Sequence, residues 1–230
     1  MDKSSQLVTE TLSQTLVAYR SVTENLQASF SELNDQQFVD TCVATKFILS
    51  WMRDLKHYHR EFGNLFNRRK RPAIADDFTA SVAICLNEFL ISRGYPGAVR
   101  SEETTHRHRN ATRPDVSVRD SSDNLLATIE CKTNFGWNRN GWQTDHEVRS
   151  ETLRELCPDC TAYLCVLTQK NWDSTDLQES EKFGTEWFCL CNESVGGLDA
   201  PVPESVILTP IEPMFIETLT KLKTYSTIAT

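Results

Sequence analysis

No stretch of the 230-residue sequence approaches the roughly 18 to 20 unbroken apolar residues that a membrane-spanning helix requires. The opening segment, MDKSSQLVTETLSQ, lacks the apolar run after a basic start that marks a secretory signal, so a soluble, cytoplasmic protein is expected. Internal repeats and low-complexity tracts are absent as well, which excludes solenoid and linker architectures. Nor is there an excess of basic charge. Against 24 Lys and Arg stand 32 Asp and Glu, a formal net charge of -8. That balance argues against indiscriminate nucleic-acid binding, but local patches still attract phosphate. Carboxylates that hold a metal also count as negative until the metal arrives.

What is present is a chain that is 39% hydrophobic, enough for one substantial core and an appended lobe. Its eight cysteines sit mostly inside apolar runs. They read as buried, reduced thiols packed as small hydrophobes.

The first third has helical periodicity. Leu7, Leu12, Leu16, Tyr19, Val22, Leu26, Phe30 and Leu33 recur at spacings of three to five. Asn34 or Asp35 can cap a second helix, whose stripe runs from Phe38 through Trp51 to Phe62, predicting a helical hairpin. Arg68, Arg69, Lys70 and Arg71, followed by Pro72, mark an exposed connection. Residues 1–72 are therefore expected to form an N-terminal helical region, and 73–230 a second domain. A third helix is predicted from Asp76 or Asp77 to a glycine cap at Gly94. It is apolar nearly all round, which places Glu88 in an apolar setting.

Beyond this point the period becomes two. Strands are predicted at 98–102, 115–119, 125–133, 161–168, 187–191 and 206–208, with helices near 145–156 and around Phe215, Leu219 and Leu222. Residues 173–182 read as a loop or a solvated helix. The order implies an α/β fold with a central mixed sheet flanked by helices.

The chemistry concentrates between Arg113 and Trp137. Leu126, Thr128, Glu130 and Lys132 are expected on one strand face, and Leu125, Ala127, Ile129 and Cys131 on the other. Turn formers fill Asp120 to Asn124. A turn centred between Ser122 and Asp123 sets Asp115 opposite Glu130, with Cβ atoms about 5 Å apart. Two carboxylates aimed at one spot repel unless a cation lies between them, and a hard divalent ion suits oxygen ligands. Such an ion makes bound water a better nucleophile, while Lys132 can hold that water or offset developing charge.

Pro114-Asp115 followed by Glu130-Cys131-Lys132 resembles the Pro-Asp … Asp/Glu-x-Lys signature of the restriction-endonuclease-like nucleases. The resemblance runs from about Asp76 to Leu167 and implies a restriction-endonuclease-like core. It also implies Mg²⁺, with Mn²⁺ as a substitute, bound by Asp115, Glu130 and the Cys131 backbone carbonyl. Lys132 would be catalytic, Glu88 would match a helix glutamate that orients the site, and the substrate would be DNA. The sequence departs from one branch of the family, since it has no Gln-x-x-x-Tyr. It also has no phosphate-binding glycine loop with lysine, so cleavage would not be ATP-driven by this chain.

Weaker signals stand beside plain alternatives. Arg107 and Arg109, alternating with His106 and His108, suit DNA phosphates or a solvated loop. Asn138, Arg139 and Asn140, set between Trp137 and Trp142, suit DNA contact, though the tryptophans could equally cap the core. Cys157, Cys160, Cys189 and Cys191 could complete a zinc set or be core thiols. His146 and Glu147 could approach the metal site or serve as first-turn helix charges.

Three functions follow as expectations. The first is a metal-dependent DNA endonuclease of restriction or defence type, acting as a homodimer because two antiparallel strands suit two-fold sites. The second is a catalytically inactive module of the same fold that binds nucleic acid or assembles with partners. The third is an interaction protein with a zinc-stabilised C-terminal half.

Overall fold

The structure is a computed structural model that describes residues 3–65, 74–105, 113–134, 142–169 and 180–228. Its elements are α1 (Lys3–Ser31), α2 (Asp35–Thr41), α3 (Val43–Leu65), α4 (Ala75–Ser92), β1 (Val99–Ser101), β2 (Val116–Arg119), β3 (Leu125–Lys132), α5 (Trp142–Leu156), β4 (Thr161–Thr168), β5 (Trp187–Cys191) and α6 (Glu212–Ile228). The strands form one sheet in sequence order. β1, β2 and β3 are antiparallel, whereas β3, β4 and β5 are parallel. The protein is therefore mixed α/β, with helices against a five-stranded mixed sheet. None of its described helices is long and apolar enough to cross a membrane.

The helical third differs from a simple hairpin. Asn34 caps α2 with a reciprocal box, its side chain accepting from Gln37 N while Gln37 Oε1 accepts from Asn34 N. The helix then breaks at Cys42, which is left-handed with φ 49°. The cause lies far away in the sequence. Glu212, at the start of α6, accepts from the backbone N–H of Thr45 at 2.9 Å and from its hydroxyl at 2.7 Å. Thr45 Oγ1 in turn accepts from Ile211 N at 2.9 Å. A carboxylate on the first turn of α3 satisfies donors that every helix start leaves unpaired.

α4 ends as its glycine predicts. Gly94 has φ +88°, and the N–H groups of Gly94 and Tyr95 return to the carbonyls of Ile91 and Leu90. Arg93 beside it reaches back to the end of α1, donating to Phe30 O and Leu33 O at 2.8 Å each. Phe38 stacks on Phe89 at 4.4 Å and meets Phe30 edge to face at 5.3 Å. The described helices of residues 1–72 thus share one continuous core with α4, α6 and the inner sheet face.

The predicted strand at 206–208 is not formed. Residues Glu204–Val206 make a 3-10 turn, and Ile207 forms an isolated bridge to Cys191. Pro203 just before this segment has no N–H to contribute to a ladder. Leu125 and Leu126 are also exchanged relative to the alternation. The β2–β3 ladder slips by one between Val118 and Arg119. Leu126 therefore enters the main core, while Leu125 packs with Leu153, Cys160 and Ala162 beneath α5. From Ala127 onward the expected faces hold.

Replacing Glu212 with alanine strands the buried Thr45 N–H and hydroxyl. The expected result is a loss of about 1 to 3 kcal/mol, read as a lower urea midpoint at unchanged slope. An unchanged midpoint would show that this contact does not carry the helix break.

Candidate active site

β2 and β3 pair Val116 with Ile129, Ser117 with Thr128 and Val118 with Ala127. Continued by one step, this register sets Asp115 opposite Glu130, the expected pairing, although the turn is centred on Ser122 and the slip beside Arg119 makes up the difference. The next step sets Pro114 opposite Cys131. Asp115 directs its carbonyl toward β1, where Glu102 N donates to it at 3.1 Å. By alternation, the N–H and carbonyl of Cys131 point toward Pro114. Proline has no N–H, so the Cys131 carbonyl receives no ladder bond from it. The Cys131 N–H is taken by the Asp115 side chain instead, at 2.7 Å to Oδ2.

This tie fixes the carboxylate over the end of β3, where Lys132 lies alongside. Lys132 Nζ is 2.5 Å from Glu130 Oε1 and 3.8 Å from Asp115 Oδ2. All three side chains stay partly open to solvent, at 30% for Asp115, 21% for Glu130 and 34% for Lys132. Burial pushes the Asp115 carboxyl above its ordinary range. The Cys131 N–H pulls it down, and the Glu130 charge pushes it up again. The pair repels, and Lys132 offsets the repulsion in part.

α5 closes one side of the cluster and supplies a residue that the sequence reading did not single out. Arg149 Nη1 lies 3.3 Å from the same Glu130 Oε1 that Lys132 engages. A helical wheel could have found it, because Arg149 is one turn from both His146 and Leu153, which face the sheet. His146 is itself buried within the field of Glu130. Burial draws its imidazole down to about 4, so the ring is neutral at pH 7. The ring meets Trp187 edge to face at 6.3 Å, and among the described residues its buried Nε2 has no hydrogen-bond partner. Glu147 turns the other way and pairs with Lys182 at 3.6 Å.

The structure does not bring Glu88 to this cluster. Thr79, near the start of α4, lies beside the Cys131 thiol. Glu88 lies further along α4, about 13 Å down the axis at a rise of about 1.5 Å per residue. There it is buried and accepts from Asn87 Nδ2. The expected DNA contacts Arg107, Arg109, Asn138, Arg139 and Asn140 lie outside the described residues, as do His106, His108 and Trp137. On β5, Cys189 packs with Leu164 and Trp187 and Cys191 joins the main core, while Cys160 lies in a separate cluster with Leu125 and Leu153. All eight cysteines are free thiols.

Asp115 and Glu130 fit a hard divalent cation. Among the described residues no three His, Cys, Asp or Glu side chains gather at one point. Two carboxylates and the Cys131 carbonyl, completed by water, is nonetheless a ligand set that magnesium takes. Fold and site together define a mixed α/β protein whose central sheet carries a paired-carboxylate and lysine cluster at the end of an antiparallel hairpin. Comparison with protein-family models, curated proteins and solved structures finds no match to this chain.

A raised carboxyl binds its proton more readily in the folded than in the unfolded chain, so folding stability grows as pH falls. Without divalent cations, wild type should therefore gain stability relative to Asp115→Asn between neutral pH and about pH 4, the unfolded range of aspartate. Paired urea titrations at several pH values measure this difference and cancel the contribution of His146. A wild type that loses ground on acidification would mean that the Asp115 carboxyl is depressed, not raised.

Proposed function

We propose that the chain is a magnesium-dependent endonuclease that hydrolyses phosphodiester bonds, with DNA as its substrate. One observation carries this reading. Asp115 and Glu130 converge on Lys132 Nζ while Asp115 is locked by the Cys131 N–H. The order helix, strand, hairpin, helix, strand from α4 to β4 is also the order that the family resemblance implies.

The residues divide the work by position. Asp115 and Glu130, with the Cys131 carbonyl, would hold Mg²⁺ or Mn²⁺. When bound, the ion would lower the pKa of a water and neutralise phosphate charge. Lys132 Nζ, beside both carboxylates, orients the attacking water and stabilises negative charge that grows on the phosphorus oxygens. Asp115 needs no reorganisation, because the backbone already holds it. The neutral His146 ring and Trp187 limit water on the α5 side.

A two-fold assembly suits cleavage of two antiparallel strands. Leu16, Val17 and Tyr19 of α1 are 60%, 65% and 48% exposed, and Tyr58 of α3 is 61% exposed. These apolar side chains supply a surface for a second copy. Sedimentation velocity should show a dimer that Leu16→Glu with Tyr58→Glu dissociates, and a wild type monomeric at all concentrations removes the dimer.

The catalytic reading is tested by incubating the protein with plasmid, linear DNA and RNA in Mg²⁺ or Mn²⁺. Asp115→Ala and Lys132→Ala should each lower cleavage by roughly a hundredfold or more. Binding without cutting would favour the catalytically inactive module. Equal cutting by the variants would remove the assigned site.

A further inference from the structure

We infer that Arg149 is a phosphate-binding residue that Glu130 holds until a divalent cation displaces it, an inference that rests on the metal-dependent reading above. Glu130 Oε1 is shared by two cations, Lys132 Nζ at 2.5 Å and Arg149 Nη1 at 3.3 Å. A doubly charged cation on this carboxylate draws off the negative charge that holds both partners and repels them, so the weaker of the two contacts gives way. Lys132 is the tighter and less exposed partner, 34% exposed against 57% for Arg149. Arg149 is therefore the one that Glu130 lets go.

Charge balance points the same way. Asp115 and Glu130 are matched by Lys132 and Arg149, so the four side chains sum to zero. A doubly charged cation leaves the cluster at a net of about +2, a field that attracts the phosphates of a nucleic-acid strand. The freed guanidinium remains anchored on α5, one turn from His146. Its planar fork matches two phosphate oxygens, which a lysine does not reproduce. The ligand class is a phosphodiester of the bound strand, beside the bond to be cut. Glu130 thus couples two events: it takes up the cation and gives Arg149 to the substrate.

The test separates cation affinity from nucleic-acid affinity. Mn²⁺ binding to the whole protein without nucleic acid is measured by electron paramagnetic resonance or calorimetry. Binding to a short DNA duplex is then titrated against salt in Ca²⁺. Arg149→Ala should bind Mn²⁺ roughly two- to fivefold more tightly, the scale of one exposed ion pair. It should also bind DNA more weakly, with the slope of log affinity against log salt reduced by about one. Arg149→Lys should restore the slope, because the charge returns. A merely structural residue would shift neither Mn²⁺ affinity upward nor the salt slope. Normal Mn²⁺ binding by wild type with unchanged or weaker binding by Arg149→Ala overturns this inference alone. A wild type that binds no Mn²⁺ overturns it together with the nuclease reading. A protein that shows both shifts yet cuts nothing keeps the exchange and loses the catalytic assignment.

Discussion

The hydrogen bond from the Cys131 N–H to Asp115 Oδ2 decides the geometry of the site. It lies where the antiparallel ladder reaches a proline. Cys131 would ordinarily exchange two backbone bonds with the residue facing it, and Pro114, having no N–H, cannot donate to the Cys131 carbonyl. The side chain of the next residue takes the N–H instead, which pins one carboxylate at the strand end without any loop to hold it. From there the period of two places Glu130 and Lys132 on the face toward α5, and Cys131 on the face toward α4. The buried Cys131 thiol, beside Thr79, anchors that inner face. The position of Asp115 thus follows from backbone pairing alone. That explains how an acid can be kept beside another acid despite the repulsion.

β3 is where the sheet changes character. It is antiparallel to β2 and parallel to β4, with Glu130 beside Leu164 and Leu164 beside Trp187. A parallel step needs a crossover, and α5 supplies it. That crossover is what carries Arg149 and His146 to the open end of the hairpin. The functional face is thus built from one local hairpin and one long connection. The local part is legible in the sequence and the long part is not. Turn residues Asp120 to Asn124 and the alternation around them pointed to Asp115 against Glu130, and the one-residue slip beside Arg119, which they do not show, completes that register. Nothing local to Arg149 says that its helix will lie across β3 and β4.

The same division explains the other departures. α2 and α3 read as one stripe, since Phe38, Phe47 and Trp51 keep helical spacing. The break at Cys42 is set by Glu212, which no window around Cys42 contains. Leu125 and Leu126 follow the alternation in sequence, yet the one-residue slip opposite Arg119 exchanges them. Glu88 was legible as a buried acid, and the structure agrees on its burial. Its level along α4 was not legible, because periodicity gives the face of a helix and not which turn meets the strand end. Strong local patterns survive here, and tertiary contacts override them at the ends of elements.

A chain with net charge -8 gains little general attraction for nucleic acid, so any such attraction must be local and conditional. Near Glu130 the conditional element is visible. Lys132, Arg149 and Lys182 bring positive charge to one end of the sheet, and each is engaged by a carboxylate: Glu130 for the first two and Glu147 for the third. The field at the site is therefore nearly neutral until something competes for those carboxylates. A divalent cation does so most strongly, since its charge is doubled and its preferred ligands are oxygens. On the proposed function, such an arrangement would tie nucleic-acid attraction to occupation of the acidic pair. A protein of this composition would then hold phosphate only when the ion that acts on it is in place.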